Sequence, residues 1–210
     1  MESRSSAEHL SDAFFAATGH RTAFTVSEGG DVTTTAPIRI VELPFGPALL
    51  IKTEIKDGCH ACSGFLGIYY LRVVSGRIWA IKSWPKAVPG WGWGTAPRDW
   101  HLTDKLTHYP AIYSSGAHTG QGITESSAFI TELRPEGPVT SDVVHIGYTN
   151  EGDVGETRAC TVDGTIANIR RDRSFDVIET GSVHAVDRYS KRNGRFVAVS
   201  KVDWDMHCGY

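Results

Sequence analysis

The chain lacks any apolar run long enough to cross a membrane. Its best apolar runs, residues 65–71 and 48–51, fall far short of the ~18 apolar residues that a spanning helix needs. We therefore expect no membrane span. Residues 1–9 are polar, and no apolar stretch with a small-residue cleavage site follows them, so the sequence also lacks the pattern of a secretory signal. Two locations stay open: the cytoplasm, or an oxidising compartment for a mature secreted form.

The chain also lacks a strong excess of one charge. It has 21 Lys and Arg against 24 Asp and Glu, a formal net charge of −3, and the cations are scattered. Proteins that bind nucleic acid usually concentrate cations in a stripe that neutralises phosphates. We therefore expect no nucleic-acid partner.

Short catalytic motifs are missing as well. The sequence contains no G-x-S-x-G elbow, no P-loop, no G-x-G-x-x-G fingerprint and no H-E-x-x-H. No motif therefore indicates a hydrolase, a kinase or a dinucleotide enzyme, and we predict no cofactor. Two acidic groups, Asp203 with Asp205 and Glu151 with Asp153 and Glu156, are close in sequence. A glycosidase needs two carboxyls that face one sugar, but without a predicted cleft we expect these groups to be solvated.

Helical patterning is confined to one segment near the start of the chain. Ser5 and Glu8 form a capping box, and Gly19 supplies a left-handed stop. Leu10, Phe14 and Ala17 fall on one helical face. The pattern predicts a helix over about residues 6–18 that packs on a sheet.

The rest of the chain consists of short runs rich in β-branched and aromatic residues, separated by Gly, Pro and Asp. Ser75-Gly76 and Asn193-Gly194 each lie between two such runs and predict β-hairpins. We expect one mainly β domain over residues 1–210, an antiparallel sandwich or barrel-like domain of about eleven to thirteen short strands with one N-terminal helix.

Four cysteines, Cys59, Cys62, Cys160 and Cys208, give an even count. Cys59 and Cys62 form a C-x-x-C in a predicted turn. A thioredoxin-like motif begins a helix, whereas a strand pattern follows here, so the context argues against a thiol-disulfide enzyme. Ser63 stands where covalent haem attachment requires His.

Two explanations of the cysteines remain: a zinc site made of all four thiolates, or disulfides. Structural zinc usually uses two close pairs, and Cys160 and Cys208 are isolated in sequence, so we favour disulfides. The favoured pairs are Cys59 with Cys62 and Cys160 with Cys208, although crossed pairing stays open. Disulfides would favour a periplasmic or extracellular location, with a cytoplasmic one still open.

Tryptophans concentrate in residues 84–100, a segment rich in Pro and Gly that we expect to form a long ordered loop. Such a loop either plugs one end of the core or exposes aromatic surface to a partner. On the second interpretation, Trp91, Trp93 and Trp100 are binding residues, because exposed tryptophans stack on sugars and dominate protein interfaces.

Three polar residues complete the candidate site. His60 lies at the tip of the C-x-x-C turn, while His118 and Gln121 belong to a glycine-rich segment, residues 114–122. Consecutive glycines let backbone N–H groups approach an anion or a substrate, although a long hairpin turn explains the same pattern.

From these features we expect a secreted or periplasmic β-rich binding protein, of inhibitor or immunity type, that recognises a protein or glycan partner through its aromatic and glycine-rich loops. Whether it has catalytic activity stays open, but the lack of a catalytic motif favours a protein that is not an enzyme. One alternative is a hydrolase that uses histidines and carboxylates in one cleft. Another is a thiol-disulfide protein that acts through Cys59 and Cys62.

Overall fold

The computed structural model describes residues 5–154, 159–202, 204 and 208. The N-terminal helix α1 spans Ser6–Thr18, as predicted. The Ser5 hydroxyl accepts a hydrogen bond from the Glu8 backbone N–H, and the Glu8 carboxylate accepts one from the Ser5 N–H. Gly19 ends the helix in the left-handed conformation, with φ of 79°. Among the described residues, no helix has the length and hydropathy needed to span a bilayer.

Within the described residues the chain forms fourteen strands and a second, four-residue helix, α2 (Glu151–Val154). The strands are β1 (Phe24–Glu28), β2 (Asp31–Leu43), β3 (Gly46–Lys56), β4 (Phe65–Val74), β5 (Arg77–Pro89), β6 (Asp99–Thr103), β7 (Ala111–Gly120), β8 (Ile123–Arg134), β9 (Gly137–Thr140), β10 (Val144–Thr149), β11 (Thr161–Arg170), β12 (Ser174–Gly181), β13 (Ala185–Arg192) and β14 (Arg195–Ser200).

The chain divides into two compact units. The first unit holds the described residues up to Arg98 together with Pro135–Pro138. Its antiparallel sheet has the order β1-β2-β3-β4-β5, and α1 packs against it. The core of this unit joins the helix to the sheet through fully or almost fully buried apolar side chains: Ala13, Phe14, Leu49, Ile51 and Leu71.

The second unit holds Asp99–Arg134 and the described residues from Val139 onward. Its antiparallel sheet has the order β14-β13-β12-β11-β10-β8-β7-β6, and β9 also pairs with β8. Two buried clusters form its core. One centres on Phe175, Tyr189 and Phe196, and the other on Tyr148 and Trp204.

The prediction of a mainly β fold with antiparallel sheets and one N-terminal helix is confirmed. Both predicted hairpins are also present, at Ser75-Gly76 between β4 and β5 and at Asn193-Gly194 between β13 and β14. The described residues form slightly more strands than the predicted eleven to thirteen. A single domain over residues 1–210 stays a prediction.

The predicted loop over residues 84–100 is shorter than expected. Strand β5 continues through Pro85 to Pro89, and β6 begins at Asp99, so the loop covers residues 90–98. Prolines are tolerated here for two reasons: β5 is an edge strand of its sheet, and its register with β4 shifts between Leu66 and Ile68, which lets the residues near Pro85 bulge.

The predicted glycine-rich loop over residues 114–122 is also wrong in its extent. Strand β7 runs to Gly120 and pairs in register with β8, so the connection is the two-residue turn Gln121-Gly122. Both turn residues have positive φ, 52° and 82°, as a tight hairpin turn requires. Glycine does not interrupt β7, because its neighbour β8 supplies a continuous hydrogen-bonding partner.

Candidate functional site

The structure divides the predicted site residues between the two units. Five of them lie together in the first unit: Cys59, His60, Cys62, Trp91 and Trp93. Trp100, His118 and Gln121 belong to the second unit, as do Cys160 and Cys208.

The cysteines are paired as the favoured prediction has them. Cys59 and Cys62 form a disulfide with their Cα atoms 4.9 Å apart, and Cys160 and Cys208 form another with a Cα distance of 5.5 Å. The structure describes all four cysteines and leaves none free, so the thiolates are not gathered at one zinc site. Among the described residues, no group of His, Cys, Asp or Glu is arranged to hold a metal ion.

Two loops of the first unit meet through their backbones. We call residues 57–64 the cysteine loop and residues 90–98 the tryptophan loop. The carbonyl oxygen of Cys59 accepts a hydrogen bond from the N–H of Trp93 at 3.1 Å, and that of Cys62 accepts one from the N–H of Gly94 at 2.8 Å. The disulfide therefore closes the turn whose carbonyl groups hold the tryptophan loop.

Glycines allow the two loops to approach this closely. A Cβ atom on Gly92 would lie 2.3 Å from the His60 carbonyl oxygen, and one on Gly58 would lie 2.7 Å from the Gly94 backbone. The Gly64 N–H donates to the Thr95 carbonyl oxygen at 3.1 Å, next to these contacts. Because backbone faces backbone, larger residues at these glycines would force the loops apart.

Trp93 is the most exposed large apolar side chain among the described residues, with 64% of its surface accessible. Its φ of 54° lies in the left-handed region, which is rarely occupied by a bulky residue. The imidazole of His60 packs edge-to-face on the indole, with ring centroids 4.9 Å apart. The paired loops therefore display an exposed indole beside an imidazole on a clamped backbone.

The other tryptophans of the predicted loop are more covered. Trp91 is half-buried, and Trp100 is half-buried on β6, where it pairs with Ser114. Trp84 lies on β5 and packs edge-to-face on Tyr70, with ring centroids 4.8 Å apart. Trp84 thus packs within the first unit and Trp93 is displayed, whereas a binding role for Trp91, Trp93 and Trp100 stays a prediction.

His118 and Gln121 lie on a strand and in a tight turn instead of a glycine-rich loop, so a role for them in binding stays a prediction. His118 lies exposed on β7 opposite Glu125, and Gln121 lies exposed in the turn. A Cβ on Gly122 would lie 2.5 Å from the backbone nitrogen of Asp153, so this glycine permits α2 to pack against the turn. The glycines that suggested a binding loop are explained by a tight turn and a close backbone contact.

Two surface depressions of the second unit test the hydrolase alternative. One, of about 590 Å³, is lined by Asp176, Arg188 and other polar residues of β11 to β13. The other, of about 320 Å³, is lined by His101, Tyr113 and Lys105 above aliphatic side chains. Neither of these two linings combines a histidine with a carboxylate among the described residues. Asp176, moreover, is already engaged, since Arg188 donates to its carboxylate at 2.8 Å. A depression of about 590 Å³ beside α1 in the first unit, in contrast, is lined by both His9 and Glu42. The hydrolase alternative therefore stays a prediction.

Three titratable side chains of the second unit, His145, Asp187 and Tyr189, have shifted pKa values. Burial and then the charge of Lys201 lower the pKa of His145, whose ring Nε2 lies 3.0 Å from the Lys201 Nζ. Burial raises the pKa of Asp187 and brings that of Tyr189 to about 12. The charges do not converge on an open cleft, because Asp187 and Tyr189 are completely buried.

One sequence feature that bears on the site was missed. Residues 58–98 contain five Lys or Arg and no Asp or Glu, although the whole chain has 24 acidic residues. This segment includes most of the cysteine loop, all of β4 and β5, and the tryptophan loop. Counting charge by segment, rather than over the whole chain, would have revealed it.

Several acidic residues that the sequence brings together lie outside the described residues. These are Glu156, Asp203 and Asp205. Glu151 and Asp153 are described, and both are exposed on α2.

Comparison of the chain with protein-family models, with curated proteins and with solved structures finds no match. The function of the protein must therefore be inferred from its own side chains.

Proposed function

We propose that the protein is a binding module that recognises a protein partner by inserting Trp93 into an apolar pocket of that partner. The observation that carries this proposal is the display of Trp93, 64% exposed, on two loops clamped by backbone hydrogen bonds and a disulfide. Exposed tryptophans are enriched among the residues that dominate binding energy at protein interfaces.

Folding alone does not favour this arrangement. Moving an indole out of water lowers the free energy, so an exposed indole forgoes that stabilisation. A bulky residue with positive φ is also strained by about 1–3 kcal/mol. Trp93 carries both costs. Strain of this kind persists where the surrounding structure enforces it, and it is concentrated at ligand clamps and active sites.

The clamp also favours tight binding. The Trp93 backbone is held by the Cys59 carbonyl, and the next residue, Gly94, is held by the Cys62 carbonyl. A loop that is ordered before binding loses less conformational entropy in the complex, which leaves more of the contact energy as affinity.

A protein pocket suits the paired cysteine and tryptophan loops better than a glycan does. Sugar recognition by stacking uses the open face of an aromatic ring, whereas here His60 already packs edge-to-face with Trp93, and Trp91 is half-buried. A single projecting side chain on a rigid loop instead resembles the anchor of a protein interface, surrounded by contacts that exclude water.

The two disulfides support a site of action outside the cytoplasm. Structural disulfides persist in oxidising compartments and are rare where thiols are kept reduced. The Cys59–Cys62 disulfide that shapes the cysteine loop stays formed under those conditions. We therefore assign this binding to a periplasmic or extracellular setting. The C-x-x-C supports a thiol-disulfide role less well, because the strand β4 follows it at Phe65, whereas a thioredoxin-like motif begins a helix.

The test compares the wild type with Trp93→Ala and with Phe15→Ala, a control that removes another exposed aromatic ring of the first unit, 48% exposed on α1. Each protein is immobilised and incubated with the secreted and surface proteins of the source cells. Every protein retained by the wild type is then purified, and its Kd is measured by calorimetry.

We expect a partner whose Kd rises at least about 30-fold with Trp93→Ala, the size of an interface hot spot, and stays unchanged with Phe15→Ala. A glycan array is probed in parallel. The proposal is overturned if no retained protein depends on Trp93, or if Trp93-dependent binding is found for glycans instead.

A further inference from the structure

The far end of the β4–β5 hairpin exposes a second apolar surface on the first unit. We call residues 72–81 the hairpin tip. Four of its aliphatic and aromatic side chains are about half exposed or more: Val73 at 58%, Val74 at 49%, Trp79 at 55% and Ile81 at 47%. Isolated exposed apolar residues are common, but four on one turn of a ribbon form a patch that indicates an interaction surface.

Both faces of the ribbon are apolar at this end. Consecutive residues of a strand point to opposite faces, so Val73 and Val74 emerge on different sides. Val73 shares its face with Ile78, which packs against the core cluster that includes α1, so Val73 extends this face beyond the core. Trp79 and its cross-strand partner Arg72 share the other face. A surrounding lipid medium can contact the exposed apolar side chains of both faces at once.

Protection of a sheet edge explains only part of this pattern. Strand β5 is an edge strand, and basic side chains such as Arg77 and Lys82 commonly prevent an edge from pairing with other chains. Trp79 and Ile81 have the opposite effect, because exposed apolar residues on an edge promote association.

The charge around the tip selects an anionic partner. Arg72 and Arg77 are exposed within it, and the acid-free segment of residues 58–98 contains it completely. Acidic side chains outside this segment approach the β4–β5 ribbon from two places. On α1, which packs on β5, Asp12 is paired with Arg21 at 2.6 Å and Glu8 caps the helix. Glu136 lies beyond the tip, where its charge acts on Tyr70 and the neighbouring Pro135 carbonyl oxygen accepts a hydrogen bond from Lys82. The tip is therefore a local cationic surface on a chain of net charge −3.

We propose that the hairpin tip docks the protein on an anionic lipid surface, with Val73, Val74 and Trp79 entering the interface and the two arginines contacting lipid phosphates. Tryptophan is enriched at the membrane–water interface, where its ring lies at headgroup level. Aliphatic side chains on both faces suit shallow immersion, and exposed cations suit the negative surface potential of anionic lipids.

This proposal goes beyond the recognition by Trp93 and uses different residues. The tryptophan loop follows the opposite end of β5, thirteen residues from the hairpin turn, which corresponds to about 40 Å of extended strand. Either proposal can therefore fail while the other holds.

The test is sedimentation of the full chain with vesicles of phosphatidylcholine containing 30% phosphatidylglycerol (about one anionic lipid in three), and with vesicles of phosphatidylcholine alone. The variants are Val74→Asp and the double change Arg72→Gln with Arg77→Gln. The matched control is Val26→Asp, because Val26 is 47% exposed near the turn of the β1–β2 hairpin of the same unit. Circular dichroism confirms that each variant is folded.

We expect the wild type to bind the anionic vesicles and not the neutral ones, with affinity that falls as salt is raised. Each cation removed near such a surface costs about fivefold in affinity, so the double arginine change is expected to weaken binding about 25-fold. Val74→Asp is expected to weaken it at least about tenfold, and Val26→Asp is expected to leave it unchanged.

Three outcomes would overturn the proposal. The first is no sedimentation with anionic vesicles at low salt. The second is equal binding of the hairpin variants and the wild type. The third is retention on immobilised poly-glutamate without vesicle binding, which would assign the tip to an acidic polypeptide instead of a lipid surface.

Discussion

Asp187 shows how a single residue can act against the stability of its own unit. Its side chain is completely buried on β13, where one carboxylate oxygen accepts a hydrogen bond from the Val202 backbone N–H at 2.6 Å. The other oxygen has no hydrogen-bond partner within the part of the chain that the structure describes. Burial therefore raises the pKa of Asp187, although the Val202 hydrogen bond and Lys201 oppose the increase.

We predict that Asp187→Asn stabilises the protein at neutral pH. The amide oxygen can still accept from Val202, whereas the buried charge is removed. Because the folded pKa lies above the unfolded value of about 3.9, Asp187 stabilises the fold only at lower pH, and this contribution is lost as pH rises through the folded pKa. Denaturant unfolding should show equal stability at pH 3 and an advantage of about 1 kcal/mol for the variant at pH 7.

Asp163→Asn, which removes one negative charge at an exposed position of β11, is the control and should change stability by no more than about 0.5 kcal/mol. The interpretation of Asp187 would be wrong if its variant were less stable at pH 7 than at pH 3, relative to the wild type. Comparing variant with wild type at each pH also cancels the titration of His145, which both proteins share.

At the scale of elements, the sequence predicts best where structure is local. The capping box of Ser5 and Glu8, the Gly19 stop and the turn residues Asn193-Gly194 each act within a few positions, and all are found where expected. Prediction failed at β5 and β7. Pro85 and Gly116 discourage a strand locally, but β4 and β8 provide partners that a single sequence does not reveal.

The candidate site could be predicted only in part for the same reason. Cys59, His60 and Cys62 are neighbours in sequence, and Trp93 was selected for its residue type. These residues meet because backbone hydrogen bonds join two loops that are about thirty residues apart in sequence. His118 and Gln121 were selected from glycines whose actual purpose, a tight turn against α2, depends on tertiary contacts.

We predict that Gly92→Ala separates the tryptophan loop from the cysteine loop. The new Cβ would lie 2.3 Å from the His60 carbonyl oxygen, at a φ of 108°. Gly30→Ala is a matched control, because Gly30 has a similar φ of 94° but no atom within 4 Å of a new Cβ. Strain in φ is thus common to both variants, and the difference between them isolates the contact between the loops.

Thermal and denaturant unfolding should show Gly92→Ala to be at least about 1–2 kcal/mol less stable than Gly30→Ala, because small-to-large changes in well-packed positions typically cost about 1–3 kcal/mol. Equal losses would mean that the close approach of the loops contributes nothing to stability.

At the scale of the whole molecule, each unit contains one disulfide, and the two have different effects. Cys59 and Cys62 are three positions apart, so their bond restricts the unfolded chain little and mainly shapes the cysteine loop. Cys160 and Cys208 are 48 positions apart, and the chain-entropy model gives about 4 kcal/mol for a loop of that length. The sequence offered three pairings of four cysteines, and only the folded chain selects among them.

The Cys160–Cys208 bond acts together with two contacts that hold the same C-terminal segment. The Trp204 indole N–H donates to the Glu179 carboxylate at 3.0 Å, and the Val202 N–H donates to Asp187. Trp204 and Cys160 also share a buried cluster with Tyr148. Loss of the disulfide should therefore loosen one edge of the second unit's core.

We predict that the double change Cys160→Ala with Cys208→Ala lowers the free energy of unfolding by about 2–4 kcal/mol. Because the first unit has its own buried cluster around Phe14 and Leu49, the loss should be confined to the second unit. Hydrogen exchange followed by mass spectrometry should show faster exchange in β10 to β13 and unchanged protection in β2 to β4. Equal acceleration in both sets of strands would show instead that the chain unfolds as one cooperative domain, as the sequence alone predicts.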